Sequence, residues 1–556
     1  MSFFSEASLA MIPSGYKTSK VYSALPITGD GDLTFSRSND TATRVGPDGL
    51  IEKVRTNLAL RSQEFATSAV WSTVSGTITN NAGTAPDGTN TASKIVATDA
   101  DPYCYQPLTL SGQVAISCYV KGIGSSIGKT GSIRGGTTYY NFTITGDWQR
   151  VLVAHTAAGA QNYGIETPES AAVSDEVLLW GFQVETGDIA TDYIATTTAA
   201  VTVGPVANVP RLDYLDSSSP RLLLEPQRTN LVPNSEQFDN ATWSNNGILV
   251  ANQGVSPDGY TNADLFYSTT GSGIRIFDAV TITSATTYTS SVFAKASGKS
   301  FIWFPDIDNS SASVWFNLSN GTFSTPIEGT ATMVDYGNGW YRCSLTTTST
   351  TTTGYSYVGI SDASGSIAFT QNGTDGVLIW GAQLEEGAYG TSYIPTLGAA
   401  VTRGSDLAQK TSASALIGQT EGTIFWEFEF TTSVATDHEC ALNIDDGSFG
   451  NTIYILKGTA GLVLSEMYNG AVLQASFFLS SQPAGTYKAA LGYANNNTAF
   501  FLNGVQVGTT DTSCSVPATS RIQLGNGAVG ASTDKTAQVL LFPTRLSNAD
   551  LAALTA

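Results

Sequence analysis

Hydrophobic and polar positions alternate with a period of two along much of the chain, and that pattern predicts strands. In Val177–Glu185 it sets Leu178, Trp180, Phe182 and Val184 on one face against Leu179, Gly181, Gln183 and Glu185 on the other. This is the mark of a strand with one buried side. The spacing recurs at Leu378, Trp380, Ala382 and Leu384, and again where Ile424, Trp426, Phe428 and Phe430 alternate with Phe425, Glu427 and Glu429. Turn dipeptides punctuate such runs: Asp87-Gly88, Asp258-Gly259, Asn320-Gly321 and Asn503-Gly504. The last joins Phe500–Leu502 to Val505–Val507 as a hairpin whose turn needs two positive φ angles. One short helix is expected at the end of the chain, capped by Ser547 with Asp550 near its positive end.

The strand patterns belong to a repeat. Thr56-Asn57-Leu58 returns as Thr229-Asn230-Leu231, Ser62–Phe65 as Ser235–Phe238, and each is followed by a tryptophan, Trp71 or Trp243. Pro86-Asp87-Gly88 matches Pro257-Asp258-Gly259, Ser117–Lys121 matches Ser291–Lys295, and Trp148-Gln149-Arg150 matches Trp340-Tyr341-Arg342. Trp180–Glu185, Gly187 and Tyr193-Ile194 return as Trp380–Glu385, Gly387 and Tyr393-Ile394. A period that runs from 173 residues at the start of the repeat to 200 at its end is a whole domain rather than a solenoid unit. The organisation expected is an N-terminal anchoring segment 1–55, a jelly roll 56–205, a linker 206–228, a second jelly roll 229–403, a linker 404–416 and a different sandwich 417–556. The fold class is all-β, in tandem antiparallel β-sandwiches.

Composition narrows the function classes. The 556 residues carry a net charge of −20, only 13% are charged, Gly 55 and Pro 19 are abundant, and mean hydropathy is near zero. Coiled coils and collagen are excluded. The acidic balance argues against nucleic acid and anionic membranes as partners, because both need clustered Lys and Arg. No stretch approaches the ~20 apolar residues of a membrane span, and Met1–Gly15 lacks the basic and apolar regions of a secretory signal. Five cysteines at irregular spacing, Cys104, Cys118, Cys343, Cys440 and Cys514, make a poor disulfide framework. A Cys104–Cys118 pair stays open as an alternative. Cys118 aligns with Val292 and Cys343 with Val151, so these thiols read as core fillers.

Two resemblances follow from named motifs. Asn503–Val505, Ile522–Asn526 and the closing Leu-Ser-Asn-Ala-Asp-Leu segment resemble the laminin-G/concanavalin-like superfamily over roughly 416–556. That superfamily hosts lectins, enzymes and adhesion modules alike. The repeated domains, through Asn230-Leu231, Ser235–Phe238, Ser256–Gly259 and Trp380–Glu385 with Tyr393–Pro395, resemble carbohydrate-binding-module jelly rolls found in phage virion proteins. The leaders Thr34–Arg37 with Ala42–Glu52, and Pro210–Tyr214 with Leu222–Asn230, resemble segments of tailed-bacteriophage fibre and head-decoration proteins. The resemblance implies a virion-surface structural protein, made without an export signal and held to other virion proteins by its N-terminal segment. It also implies a homotrimer in contact with a host-surface glycan. A tail-fibre receptor-binding lectin and a secreted glycan-binding or glycan-degrading protein are the alternatives.

Candidate chemistry is sparse. His155 and His438 stand outside any metal-binding pattern, and no nucleophile elbow or phosphate loop is present. Glu427 and Glu429 share a strand face at about 7 Å, within the range of a glycosidase pair. They lack the third acid of the Glu-x-Asp-x-x-Glu strand of concanavalin-like glucanases. Asn443–Gly447 offers Asp445 and Asp446 as calcium ligands, or simply as a turn. No catalytic residue, cofactor or definite metal ligand is assigned, and the chain is expected not to be an enzyme. Tyr139, Tyr140, Trp303, Trp315, Tyr355, Tyr357, Tyr454 and Tyr468 are aromatic candidates for sugar stacking or for the core.

Overall fold

The computed structural model describes residues 3–556 except 68, 270, 272, 309–310, 371–372, 431–439, 459–460 and 526–533. His438, Asn526 and the side chain of Cys440 lie outside the described residues. The regular structure of the described residues is almost entirely antiparallel strand, with one α-helix, Asn548–Thr555. It separates into two compact units, Val54–Gly204 and Met1–Lys53 with Pro205–Ala556.

The first unit is a jelly roll. Its two long strands, Tyr103–Ile123 and Gln149–Glu166, pair along nearly their whole length and bend through both layers, with positive φ at Gly112 and Gly159. The second jelly roll repeats the plan, with each long strand divided in two: Arg275–Thr281 with Thr287–Ser297, and Trp340–Thr348 with Thr353–Ser361. Each is closed by a short ladder, Arg55–Asn57 on Val201–Val203 and Arg228–Asn230 on Val401–Arg403. The repeated motifs satisfy buried backbone. Asn57 Nδ2 donates to the carbonyls of Phe182 and Ile194, as Asn230 Nδ2 does to those of Ala382 and Ile394. Gln183 and Gln383 each accept from the amide of the matching isoleucine at 2.7 Å.

One sequence expectation is corrected here. Leu178, Trp180, Phe182 and Val184 do not share a face. Gly181 and Gly381, at φ +64° and +65°, sit where the register slips between Ser117 and Tyr119 and between Ser291 and Phe293. This is a glycine bulge, which inserts one residue and inverts the alternation. Val177, Leu179, Phe182 and Val184 therefore face the core, while Leu178 and Trp180 turn outward into a separate cluster. The same holds for Trp380 against Val377, Ile379, Ala382 and Leu384.

The C-terminal sandwich uses far more of the chain than 417–556. Leu9–Met11 pairs with the closing strand Asp534–Phe542, which also receives Arg221–Leu224, itself paired with Arg211–Asp213. In the facing sheet Leu33–Ser36 pairs with Leu407–Lys410, which pairs with Arg521–Gly525. Leu9, Met11, Val21, Leu33, Phe35, Leu212, Leu222, Leu224 and Ala408 join one core with Trp426, Phe428, Ile444 and Leu541. The segment 1–55, expected to stand apart as an anchor, and the linkers 206–228 and 404–416 thus supply strands to this sandwich. Their apolar residues are too few to form a core alone and are buried only by partners distant in sequence.

A buried ion network ties these insertions together. Asp406 accepts from Arg37 (3.0 Å) and Arg211, Glu225 pairs with Arg211 (2.7 Å) and Arg403 (2.8 Å), and all five side chains are at most 2% exposed. Burial alone would raise the Glu225 carboxyl, but Arg403 and Arg211 outweigh it and hold it well below its ordinary range.

Cys104, Cys118, Cys343 and Cys514 are free and buried, so the alternative Cys104–Cys118 bridge is not formed. Cys118 stands opposite Val151, and Val292 opposite Cys343, so the two copies exchange thiol and isopropyl across one ladder. Burial pushes the Cys118 thiol up to about 12.

Asp278 is out of keeping with its place. It lies between Ile276 and Val280 on the core-facing row of its strand, 5% exposed, with Oδ2 unpartnered. Burial raises its carboxyl to about 6 from an ordinary 3.8. A raised carboxyl favours the protonated folded state, so stability falls as pH climbs from about 4 to 6. Asp278→Asn is expected to raise the melting temperature at pH 8 and to bring little gain at pH 4. An equal gain at both, read by calorimetry, rules out the ionised carboxyl as its source.

Candidate functional site

The outer face of the first jelly roll carries an aromatic platform. Tyr103 and Tyr105 lie two apart on one strand, so they point the same way, with rings 5.8 Å apart and 27° from parallel. Across the ladder Tyr105 meets Gly164, Gly164 meets Arg134, and Arg134 meets Tyr139. Glycine is needed in that row, because a Cβ on Gly164 would stand 2.1 Å from the Cys104 carbonyl oxygen. The Arg134 guanidinium therefore spans the gap and lies over three rings, 5.7 Å from Tyr103 and 5.5 Å from each of Tyr105 and Tyr139. Its Nε donates to the Gly136 carbonyl at 2.8 Å, which fixes the fork, and Tyr139 is 46% exposed. Glu166 stands opposite Tyr103 and Ser132. Burial first, then Asp101 and Glu169, raise its carboxyl, with Arg134 opposing. Flat rings beside a fixed cation and carboxylates are the groups that stack on sugar C–H faces and hydrogen-bond hydroxyls.

Tyr139 was legible in sequence; Tyr103, Tyr105 and Arg134 were missed. Tyr140, the other candidate here, points to the opposite side and bonds His155 Nδ1 at 3.1 Å. His155 is buried, with Nε2 3.4 Å from Gln161, and reads as a structural residue.

The second jelly roll brings four further candidates together on the equivalent face. Arg275, Gly359, Trp303 and Trp315 occupy the row held by Tyr105, Gly164, Arg134 and Tyr139 in the first. Trp303 lies flat over Gly359 and is 1% exposed, Tyr357 is buried beside it, and Phe277 stacks on Tyr357 at 5.6 Å. Trp315 Nε1 donates to the Ser366 carbonyl at 2.7 Å, and Tyr355 meets Phe277 edge-on. Here the rings serve packing. Tyr454 and Tyr468 stack at 6.4 Å in the C-terminal sandwich, both donating to Glu466.

The acidic candidates are engaged within the protein. Asp445 forms a two-pronged pair with Arg521 (2.7 and 2.8 Å), and Asp446 accepts from Ser448 and Asn451 in a turn. Glu427 faces Lys488 across its ladder. Glu429 borders a cleft of about 380 Å³ between the second jelly roll and the C-terminal sandwich, with Asp213, Asp216, Arg342 and Lys535. Glu429 lies 3.2 Å from Arg221, and Lys535 pairs with Asp216 and Asp213. Among the described residues no group of three or more His, Cys, Asp or Glu is placed to hold a metal, and no helix is long and apolar enough to cross a membrane.

No protein-family model and no curated protein matches the chain. Among solved structures it is similar to the Ruminococcus gnavus IT-sialidase CBM40, at 20% identity and TM-score 0.23, covering 26% of this chain and 87% of that one. It is similar to the N-terminal CBM22-1–CBM22-2 tandem domain of Paenibacillus barcinonensis Xyn10C, at 14% and 0.22, covering 60% and 98%. It is also similar to Trypanosoma rangeli sialidase in complex with the inhibitor DANA, at 10% and 0.22, covering 87% and 94%. Likenesses this distant carry no argument about what this chain does; the β-sandwich class rests on its own sheets.

Proposed function

We propose that the chain is a glycan-binding protein without turnover, and that its ligand lies across the Arg134–tyrosine face of the first jelly roll. The observation that carries this reading is one guanidinium held over three tyrosine rings on an outer face, with Tyr139 exposed. Glu166 feels Asp101 and Glu169 as well as Arg134, so carboxylates outnumber the arginine here and the ligand class is neutral, hydroxyl-rich saccharide rather than sialylated or sulfated sugar. Arg134→Ala and Tyr139→Ala are each expected to weaken binding of a neutral glycan by roughly ten-fold or more on an array or by calorimetry. Unchanged binding in both variants, or binding confined to acidic glycans, overturns the assignment. Polysaccharide cleavage that disappears in Glu429→Gln overturns the reading of binding without turnover.

The finer reading is a bacteriophage virion-surface component, a head or tail fibre or a capsid decoration protein, oligomeric and turned toward a host glycan. Its support is the resemblance of the leaders and repeated domains given above. A density map of intact particles tests it: the chain found on the particle at its symmetry upholds it, and its absence refutes it.

A further inference from the structure

The bulge at Gly181 and Gly381 turns a tryptophan outward in each jelly roll, and the two outer clusters are built alike. Trp148 Nε1 donates to the Thr84 carbonyl at 3.2 Å, as Trp340 Nε1 does to that of Val255 at 3.0 Å. Arg150 lies 5.4 Å over Tyr119, and Arg342 lies 5.4 Å over Phe293. Trp180 packs on Tyr193 at 4.4 Å, and Trp380 on Tyr393 at 4.7 Å. The turns Ala85–Thr89 and Ser256–Tyr260 close with the same pair of backbone bonds and a glycine at φ +84° or +86°. Each brings its aspartate, Asp87 or Asp258, beside the tyrosine.

The clusters differ in what covers them. Over the second lies this chain's own leader hairpin, Arg44-Val45 on Ile51-Glu52. Val45 and Ile51 pack among Phe293, Trp340, Trp380 and Tyr393, and the Ile51 amide donates to the Pro257 carbonyl at 2.9 Å. Lys53 Nζ sits 5.4 Å over the Trp380 ring, 2.6 Å from Asp258 and 2.8 Å from Glu236. Phe293, Trp340, Tyr393 and Asp258 are buried as a result. In the first jelly roll Tyr119, Trp148 and Tyr193 stay partly exposed, and Pro86 and Asp87 are exposed.

We infer that the Tyr119–Trp148–Trp180–Tyr193 face is a docking site for a segment of another polypeptide, a short hairpin with two apolar side chains followed by a lysine. The apolar pair covers Tyr119 and Trp148 as Val45 and Ile51 cover their twins. The ammonium lies over Trp180 against Asp87, where one carboxylate, with Gln63 in the place of Glu236, still complements one cation. The chain's own leader is spent on the second copy, which leaves this seat to a partner.

The probe is a cyclised peptide of residues 43–53 of this sequence, titrated into the full chain with a fluorophore on the peptide. Saturable binding is expected below millimolar concentration. Trp148→Ala, which removes a partly exposed ring, is expected to weaken it at least ten-fold, as is replacing the peptide's Lys53 by methionine. Asp87→Asn is expected to abolish the difference between the two peptides. No saturation, or saturation indifferent to Trp148→Ala, overturns the inference. So does loss of glycan binding in Trp148→Ala with Arg134 intact, which makes the face a sugar site.

Discussion

A chain lacking residues 1–36 is expected to lose the C-terminal sandwich while keeping the first jelly roll. The deletion removes Leu9, Met11, Val21, Leu33 and Phe35, each at most 1% exposed in one shared core. Burying a side chain of this size contributes about 1.5–3 kcal/mol, so the loss is on the order of 10 kcal/mol. A whole domain has only about 5–15 kcal/mol to spare. Two ladders go with it: Leu9–Met11 leaves one edge of the closing strand Asp534–Phe542, and Leu33–Ser36 leaves Leu407–Lys410. The core of Val54–Gly204 is built from its own residues. In urea, the full chain is expected to show a transition that the truncated chain lacks, with the jelly-roll transition unmoved. Proteolysis is expected to cut the truncated chain within 407–556. An unaltered pair of transitions shows that the inserted strands are dispensable, and the deletion then isolates whatever else the segment does.

The second large effect is expected from Asp406→Ala. That carboxylate accepts from Arg37, Arg211 and the Glu225 amide, and its side chain is fully buried. Removing it leaves two guanidinium groups facing one another in the interior. Breaking a buried pair from one side costs about 3–5 kcal/mol. Arg37 also donates to the carbonyls of Pro205 and Val206, and Arg211 to that of Thr43, so the leader and the linker loosen with it. Equilibrium denaturation reads the effect directly, and a change below about 1 kcal/mol means that the cluster relaxes at no cost.

The same cluster sets an acid limit. Glu225 has a folded-state value below its ordinary 4.5, so its contribution is complete above about pH 4.5 and disappears as the pH falls further. Acid is therefore expected to unfold the unit containing Arg211 before Val54–Gly204. The reverse order contradicts the assignment.

Some of this architecture was legible because local pattern and fold agree. The repeat, the Asn503-Gly504 turn with φ of +47° and +79°, and the Ser547 cap accepting from the Asp550 amide all follow from residues close in sequence. The outward turn of Trp180 was not legible, since a one-residue bulge leaves the written alternation unchanged while reversing its meaning. Leu9–Met11 and Leu33–Ser36 are three and four residues long, too short to show a period, and the strands that tie them into the sandwich, Asp534–Phe542 and Leu407–Lys410, lie hundreds of residues away. The Arg134 platform was hidden for a related cause. Its row is drawn from four strands, and only the ladder register reveals that Tyr105, Gly164, Arg134 and Tyr139 lie side by side.

The inlaid N-terminal strands also bear on how the protein is made. Leu9–Met11 leaves the ribosome roughly 500 residues before the strand it pairs with, an interval of roughly 25–100 s at 5–20 residues per second. Both jelly rolls have time to fold in that window. Leu9–Met11 waits with unsatisfied edges until Asp534–Phe542 has been made, so this sandwich is assembled from strands that flank domains already folded.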